Sequence, residues 1–230
     1  MNLAENLHAI NERIASACAR VGRDPASVTL VAVSKAQPPE VVSAAADLGV
    51  TVFGENRVQE AKAKIPMCPG HLKWHMVGHL QTNKVRDALM LFEMIQSVDS
   101  LHLATELNRI AEKLGRFVPI LLQANVSGES TKYGYHPDVL LQELLALNAL
   151  PRLEIRGLMT IAPWTPEPER VRSVFAKLRD LKSRCETILG APLQHLSMGM
   201  SNDFEVAIEE GATIVRIGTA LFGERPAKVK

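Results

Sequence analysis

Three stretches of this 230-residue chain carry side chains whose types and spacing could do chemistry. The first is Lys35, which follows the apolar run Thr29-Leu30-Val31-Ala32-Val33-Ser34. Residues of an extended run alternate faces, so Lys35 shares a face with Val33 and Val31. An amine at the end of such a run, over an apolar interior, is partly desolvated, which favours the neutral nucleophile. A solvated or ion-paired strand-end lysine fits the same position, and position alone does not choose. The second stretch is Ser197-Met198-Gly199-Met200-Ser201-Asn202-Asp203. A glycine among hydroxyls, ahead of a helix expected to open at Asp203, offers backbone N–H groups and Ser201 to a phosphate. Ordinary helix capping by Ser201 or Asn202 accounts for it equally well. The third is Ile214-Val215-Arg216-Ile217-Gly218-Thr219. Arg216 interrupts an apolar run and needs an anionic or acceptor partner if buried. Gly218 and Thr219 add N–H groups and a hydroxyl. The competing arrangement turns Arg216 outward onto a helix carboxylate.

These residues must be positioned by elements, and the chain has a rhythm that supplies them. Short runs rich in Val and Ile are expected as strands at 29–34, 51–53, 72–77, 94–98, 118–126, 155–161, 194–197 and 213–217. Helical patterns alternate with them, which implies parallel strands joined by helical crossovers. Eight is the closing number of a (β/α)8 TIM barrel, preferred here over an open doubly wound sheet. A leading amphipathic helix with Leu3, Leu7, Ile10, Ile14 and Ala17 on one stripe, ending near Gly22, is then an extra element. Nothing divides the chain, so residues 1–230 are expected to form one domain. In such a barrel the active site forms at the C-terminal strand ends, with phosphate at the loops after strands seven and eight. Those ends carry Lys35, Glu55-Asn56, Gly78-His79, Asp99, Asn125 to Ser127, Thr160, Ser197 to Ser201 and Gly218-Thr219, with Arg216 within strand eight.

Composition narrows the function classes. Hydrophobic residues make up 47% and charged residues 22%, as for an ordinary globular core. A formal net charge of +1 gives no reason to expect nucleic acid as the partner. The tail residues Arg225, Lys228 and Lys230 form the one locally basic segment, expected to be a solvated end. No apolar run is long enough for a membrane span, and residues 1–20 lack the core of a signal peptide. Cys18, Cys68 and Cys185 have no metal or disulfide spacing, which suits reduced thiols in the cytoplasm. His75 and His79 flank a strand end, where helical metal spacing is unavailable, so no metal site is expected. Lys132, after strand five, is expected as a solvated loop lysine that could otherwise meet a second phosphate.

The chain resembles the YggS/PROSC family of pyridoxal phosphate homeostasis proteins. The resemblance rests on Val31-Ala32-Val33-Ser34-Lys35, Phe53-Gly54-Glu55-Asn56 with Val58-Gln59-Glu60, and Trp74-His75-Met76-Val77-Gly78-His79-Leu80-Gln81-Thr82-Asn83-Lys84. It continues through Arg156-Gly157-Leu158-Met159-Thr160-Ile161, 197–204 and 215–223. It implies a barrel of the alanine racemase N-terminal-domain type with an added N-terminal helix. It implies pyridoxal 5′-phosphate (PLP) as cofactor, held as a Schiff base on Lys35. It places Ser201, Gly218 and Thr219 at the phosphate, Arg216 at the pyridine nitrogen, and Asn56 and Met200 beside the ring. A guanidinium there cannot stabilise a protonated pyridine nitrogen, so the ring becomes a weaker electron sink.

Two functions follow from the resemblance. One is a non-catalytic carrier that holds, buffers and delivers PLP, with PLP-dependent apoenzymes as transient acceptors. The other is a PLP-dependent amino-acid racemase. Related racemases use a tyrosine from a partner subunit as second base and a C-terminal β domain to close the site. This sequence ends shortly after Gly223 and has only Tyr133 and Tyr135, both after strand five. The carrier is therefore the preferred expectation, as a monomer.

Overall fold

The structure is a computed structural model that describes residues 2–129 and 132–223. Eight parallel strands form a closed barrel in sequence order. They are β1 (Thr29–Val33), β2 (Val52–Glu55), β3 (Lys73–Met76), β4 (Met94–Val98), β5 (Val118–Gln123), β6 (Leu153–Met159), β7 (His195–Ser197) and β8 (Ile214–Ile217). The helix α1 (Leu3–Arg20) precedes them. After the successive strands come α2 (Pro39–Asp47), α3 (Val58–Lys64), α4 (Val85–Leu91), α5 (Leu101–Lys113), α6 (Pro137–Asn148), α7 (Arg172–Leu189), α8 (Phe204–Glu209) and α9 (Thr219–Phe222). This is the (β/α)8 barrel expected from the sequence, with its extra leading helix. The register Thr29↔Ile214 through Ala32↔Ile217 between β1 and β8 closes the ring and rules out an open sheet.

Local chemistry sets the element ends. Asn2 caps α1, its side chain accepting from Ala4 N at 3.1 Å, and Gly22 turns the chain in the left-handed region (φ 65°). Proline fits the first turns of α2 and α6, where its missing N–H would be unsatisfied anyway. The Ser100 hydroxyl caps α5 through Leu103 N. The strand at 118–126 is shorter than its apolar run. Ladder pairing stops at Gln123, Ala124 makes an isolated bridge to Tyr135, and Val126 packs into the helix layer instead. Likewise β1 stops at Val33 rather than Ser34, and Lys35 lies in a turn with Ala36 at φ 61°.

Strand alternation divides the apolar residues into two layers. Outward residues such as Phe53, Trp74, Met76, Ile120 and Leu196 pack against the helices in the larger core. Val31, Val77, Leu121, Met159 and Ile214 fill the barrel interior, with Val33 and Ile161 toward its mouth. Five buried polar residues share that inward face by the same alternation: His75, Gln96, Gln123, Ser197 and Arg216. Among the described residues, no helix is long and apolar enough to cross a membrane. The basic tail residues Arg225, Lys228 and Lys230 lie outside the described residues.

Candidate functional site

A cavity of about 540 Å³ opens at the C-terminal mouth of the barrel. All seven candidate residues line it: Lys35, Asn56, Met200, Ser201, Arg216, Gly218 and Thr219. They come from the ends of β1, β2, β7 and β8. Closure of the barrel makes neighbours of β1 and β8, which lie at opposite ends of the sequence.

The half-buried Lys35 is carried on a turn whose base is clamped. The buried Ser34 hydroxyl donates to Glu55 Oε1 at 2.7 Å. Lys64 Nζ donates to the same oxygen at 2.7 Å and to the Ser34 carbonyl at 2.7 Å. The Glu55–Lys64 pair is nearly solvent-free, with side chains 0% and 8% exposed. It therefore fixes the residues immediately before Lys35 and Asn56. Sequence reasoning missed this clamp. Its one signal is Glu55 inside the apolar stretch of β2, which demands a cation once buried. Asn56 Oδ1 is a buried acceptor with no hydrogen-bond partner, beside the cavity. Gly78 backs it closely, since a Cβ there would sit 2.3 Å from the Asn56 carbonyl oxygen.

The loops after β7 and β8 are tied together. Ser201 Oγ accepts from Ala220 N at 3.1 Å. Asp203 accepts from Met200 N at 2.6 Å and stands just before α8, which opens at Phe204 and not at Asp203 as expected. The carboxylate is used on the loop, so it joins the site wall instead of the helix. Burial raises the Asp203 pKa, against the lowering effects of the Met200 N–H and the Arg216 charge. Gly199 holds φ +92°, and a Cβ there would press on Ala207 Cβ at 2.7 Å and Phe204 Cα at 2.8 Å. Gly218 leaves room beside the β1 end, where a Cβ would lie 3.2 Å from the Val33 carbonyl oxygen.

Arg216 points inward, which settles the two arrangements open in the sequence. Its NH1 donates to Ser197 Oγ at 2.5 Å and its NH2 to the Thr160 carbonyl at 2.7 Å. Burial lowers its pKa to about 10, with Asp203 acting in the opposite direction, so it remains a cation at neutral pH. Trp164, on the loop after β6, also lines the cavity while 79% exposed, and Asn202 Nδ2 donates to the neighbouring Thr165 carbonyl at 2.7 Å. Its Pro-flanked loop gave no sign in sequence of reaching back to the barrel mouth.

Other polar candidates are brought elsewhere. His79 pairs with Asp99 at 3.0 Å and stacks on Tyr133, with ring centroids 3.9 Å apart. His75 meets Gln96 inside the barrel. Among the described residues, no His/Cys/Asp/Glu group could hold a metal ion. Lys132 pairs with Glu129 at 2.7 Å. Neither tyrosine lines the cavity: Tyr133 is 60% exposed, and Tyr135 is buried in the helix-side core.

Comparison with known proteins agrees with the barrel fold. The family described as "Alanine racemase, N-terminal domain" matches residues 6–226. A relative from Aquifex aeolicus named "Pyridoxal phosphate homeostasis protein" is 46% identical over 226 residues, covering 98% of this chain and 99% of the relative. PipY from Synechococcus elongatus PCC7942, solved with PLP bound, superposes with a TM-score of 0.84 at 40% identity, covering 96% of this chain and 100% of PipY. An alanine racemase of Clostridium difficile shares the fold, with a TM-score of 0.76 at 20% identity, and this chain spans 58% of it.

Proposed function

Because this chain belongs to the pyridoxal phosphate homeostasis proteins, which are built on the alanine racemase N-terminal-domain barrel, we propose that it binds PLP in the cavity at the barrel mouth. The cavity suits that group on its own evidence. It holds a lysine amine, the orphaned acceptor Asn56 Oδ1, a buried guanidinium, and a glycine-bearing pair of loops. When bound, PLP supplies an aldehyde that condenses with a primary amine, a phosphate and a pyridine ring.

Lys35 provides the amine, held as a Schiff base, and the Ser34–Glu55–Lys64 clamp fixes its turn. Ser201, Gly218 and Thr219 take the phosphate with hydroxyls and N–H groups. Arg216, a donor only, faces the ring nitrogen and keeps it without a proton. Asn56 and Met200 flank the ring. Arg216 thereby disfavours chemistry that needs a strong electron sink.

The chain acts in PLP homeostasis, and we infer that it does so as a non-catalytic carrier. What supports this is that relatives matched over nearly their full length are named for pyridoxal phosphate homeostasis, beside a cavity wall that carries Lys35 and neither Tyr133 nor Tyr135. We further propose that it is one domain, works as a monomer in the cytoplasm, where unpaired Cys18, Cys68 and Cys185 stay reduced, and passes PLP to apoenzymes.

The test is spectroscopic. Protein incubated with PLP should show a visible absorbance band, and borohydride should fix the cofactor to Lys35. Lys35→Ala should lose the band. Common L-amino acids should show no sustained turnover. Lys35-dependent racemisation at ordinary enzymatic rates would overturn the carrier reading.

A further inference from the structure

A line of buried hydrogen bonds crosses the barrel from Arg216 to His75. Arg216 NH1 donates to Ser197 Oγ at 2.5 Å, and Ser197 Oγ donates to Gln96 Oε1 at 2.6 Å. Gln96 Nε2 lies 2.8 Å from His75 Nδ1. The residues belong to β8, β7, β4 and β3 and are between 0% and 8% exposed. Nothing in the local sequence links them.

Proton counting gives this line one direction. A guanidinium has no acceptor, so Ser197 Oγ must accept from it. Ser197 has a single proton left, and Gln96 Oε1 takes it. The Gln96 amide then turns its NH₂ toward His75, whose Nδ1 must be an unprotonated acceptor. The reversed amide would present NH₂ to Ser197 and leave the buried hydroxyl proton without its partner. His75 is suited to the acceptor role. Burial, His195 from β7 and Lys73 from its own strand all lower its pKa, to about 4. A hydroxyl that donates in a chain is also a stronger acceptor, which tightens its hold on the guanidinium.

We propose that His75, acting through Gln96 and Ser197, is the positioning residue that sets the orientation of the Arg216 guanidinium at the cofactor ring. This rests on the placement of Arg216 at the ring nitrogen proposed above. Ser197 alone is a hydroxyl rotor whose proton could swing toward the guanidinium and weaken the contact. Anchored to a neutral imidazole across the barrel, the rotor keeps its lone pair on Arg216. Thr160 holds the other amino group.

The experiment uses the full chain loaded with PLP labelled with nitrogen-15 in the ring. Variants His75→Phe, His75→Asn, Gln96→Leu, Ser197→Ala and Arg216→Gln are compared by borohydride mapping to Lys35, the ring-nitrogen NMR shift, and the rate of cofactor loss. His75→Phe, Gln96→Leu and Ser197→Ala should still label Lys35. Their ring-nitrogen shift should move toward that of Arg216→Gln, and cofactor loss should quicken roughly three- to tenfold. His75→Asn, whose Oδ1 can accept from Gln96, should restore both readouts. Gln96→Leu decides if His75→Phe does not fold. Wild-type shift and release in His75→Phe or Gln96→Leu, with Arg216→Gln altered, overturns the role of His75 and leaves Arg216 in place. A wild-type shift in Arg216→Gln overturns the Arg216 placement itself.

Discussion

At the residue scale, the energetics near the cavity are dominated by charges taken out of water. Lys64 and Glu55 are worth most to each other when both are present, because removing one leaves the other buried and uncompensated. Lys64→Met is therefore expected to destabilise the fold by about 3 kcal/mol in denaturant titrations. It should also loosen the turn that carries Lys35 and slow attachment of PLP. Unchanged stability would mean that the pair is not desolvated in solution. His75 gives a signed pH effect. Its folded pKa of about 4 lies below the usual 6.5, so below pH 6.5 the unfolded chain takes up a proton that the folded one refuses. Stability present above about pH 6.5 is lost as pH falls toward 4, by at most about 3 kcal/mol. The pKa of His195 is also lowered, chiefly by burial and then by Arg156, and adds in the same direction. Denaturation midpoints at pH 7 and pH 4.5 check this, and His75→Phe should flatten the dependence.

At the element scale, the site depends on how closely strand ends and loops approach one another. The turn after β3 passes against the residue after β2, with Gly78 next to the Asn56 backbone. Gly78→Ala must displace that backbone, because a Cβ 2.3 Å from a carbonyl oxygen has no flexible neighbour to move. Overpacking of this kind costs about 1–3 kcal/mol. The larger expected effect is weaker PLP retention, measured by equilibrium titration, since Asn56 moves away from the cavity. Wild-type affinity would show that the Asn56 side chain contributes nothing to the ring.

At the scale of the whole molecule, α1 braces from outside the side of the cavity formed after β7 and β8. It packs on α8 and α9, the helices that follow β7 and β8. Asn6 Nδ2 donates to the Leu221 carbonyl at 2.9 Å, and Arg13 pairs with Glu205 at 2.8 Å while its guanidinium lies 4.4 Å from the Phe204 ring centroid. Ile10 is 2% exposed on the buried stripe of α1. Ile10→Ala should cost about 2–5 kcal/mol in thermal or denaturant unfolding, as for other large-to-small core changes. PLP should also dissociate faster, because the loops bearing Ser201, Gly218 and Thr219 lose their outer support. A destabilised variant with unchanged dissociation would separate α1 from the site.

The strand-and-helix rhythm, the number of strands and the residues at their C-terminal ends are legible in the chain before it folds. Periodicity, Gly and Pro signals and the inward face of Val31 and Val33 are local properties, written into neighbouring residues. That is why Lys35, Ser201, Arg216, Gly218 and Thr219 can be argued from the residues, while Asn56 and Met200 are picked out from the strand ends by the family resemblance; all seven line one cavity. What those residues lean on becomes visible once the barrel has closed. The Lys64–Glu55 clamp, the Asp203 bond to Met200 N, the approach of Trp164 and the line from Arg216 to His75 join side chains across strands and loops. Their partners are chosen by barrel closure and burial. A polar group has to find whichever complementary group the closed barrel places within hydrogen-bond reach, and that neighbour leaves no mark in the adjoining sequence.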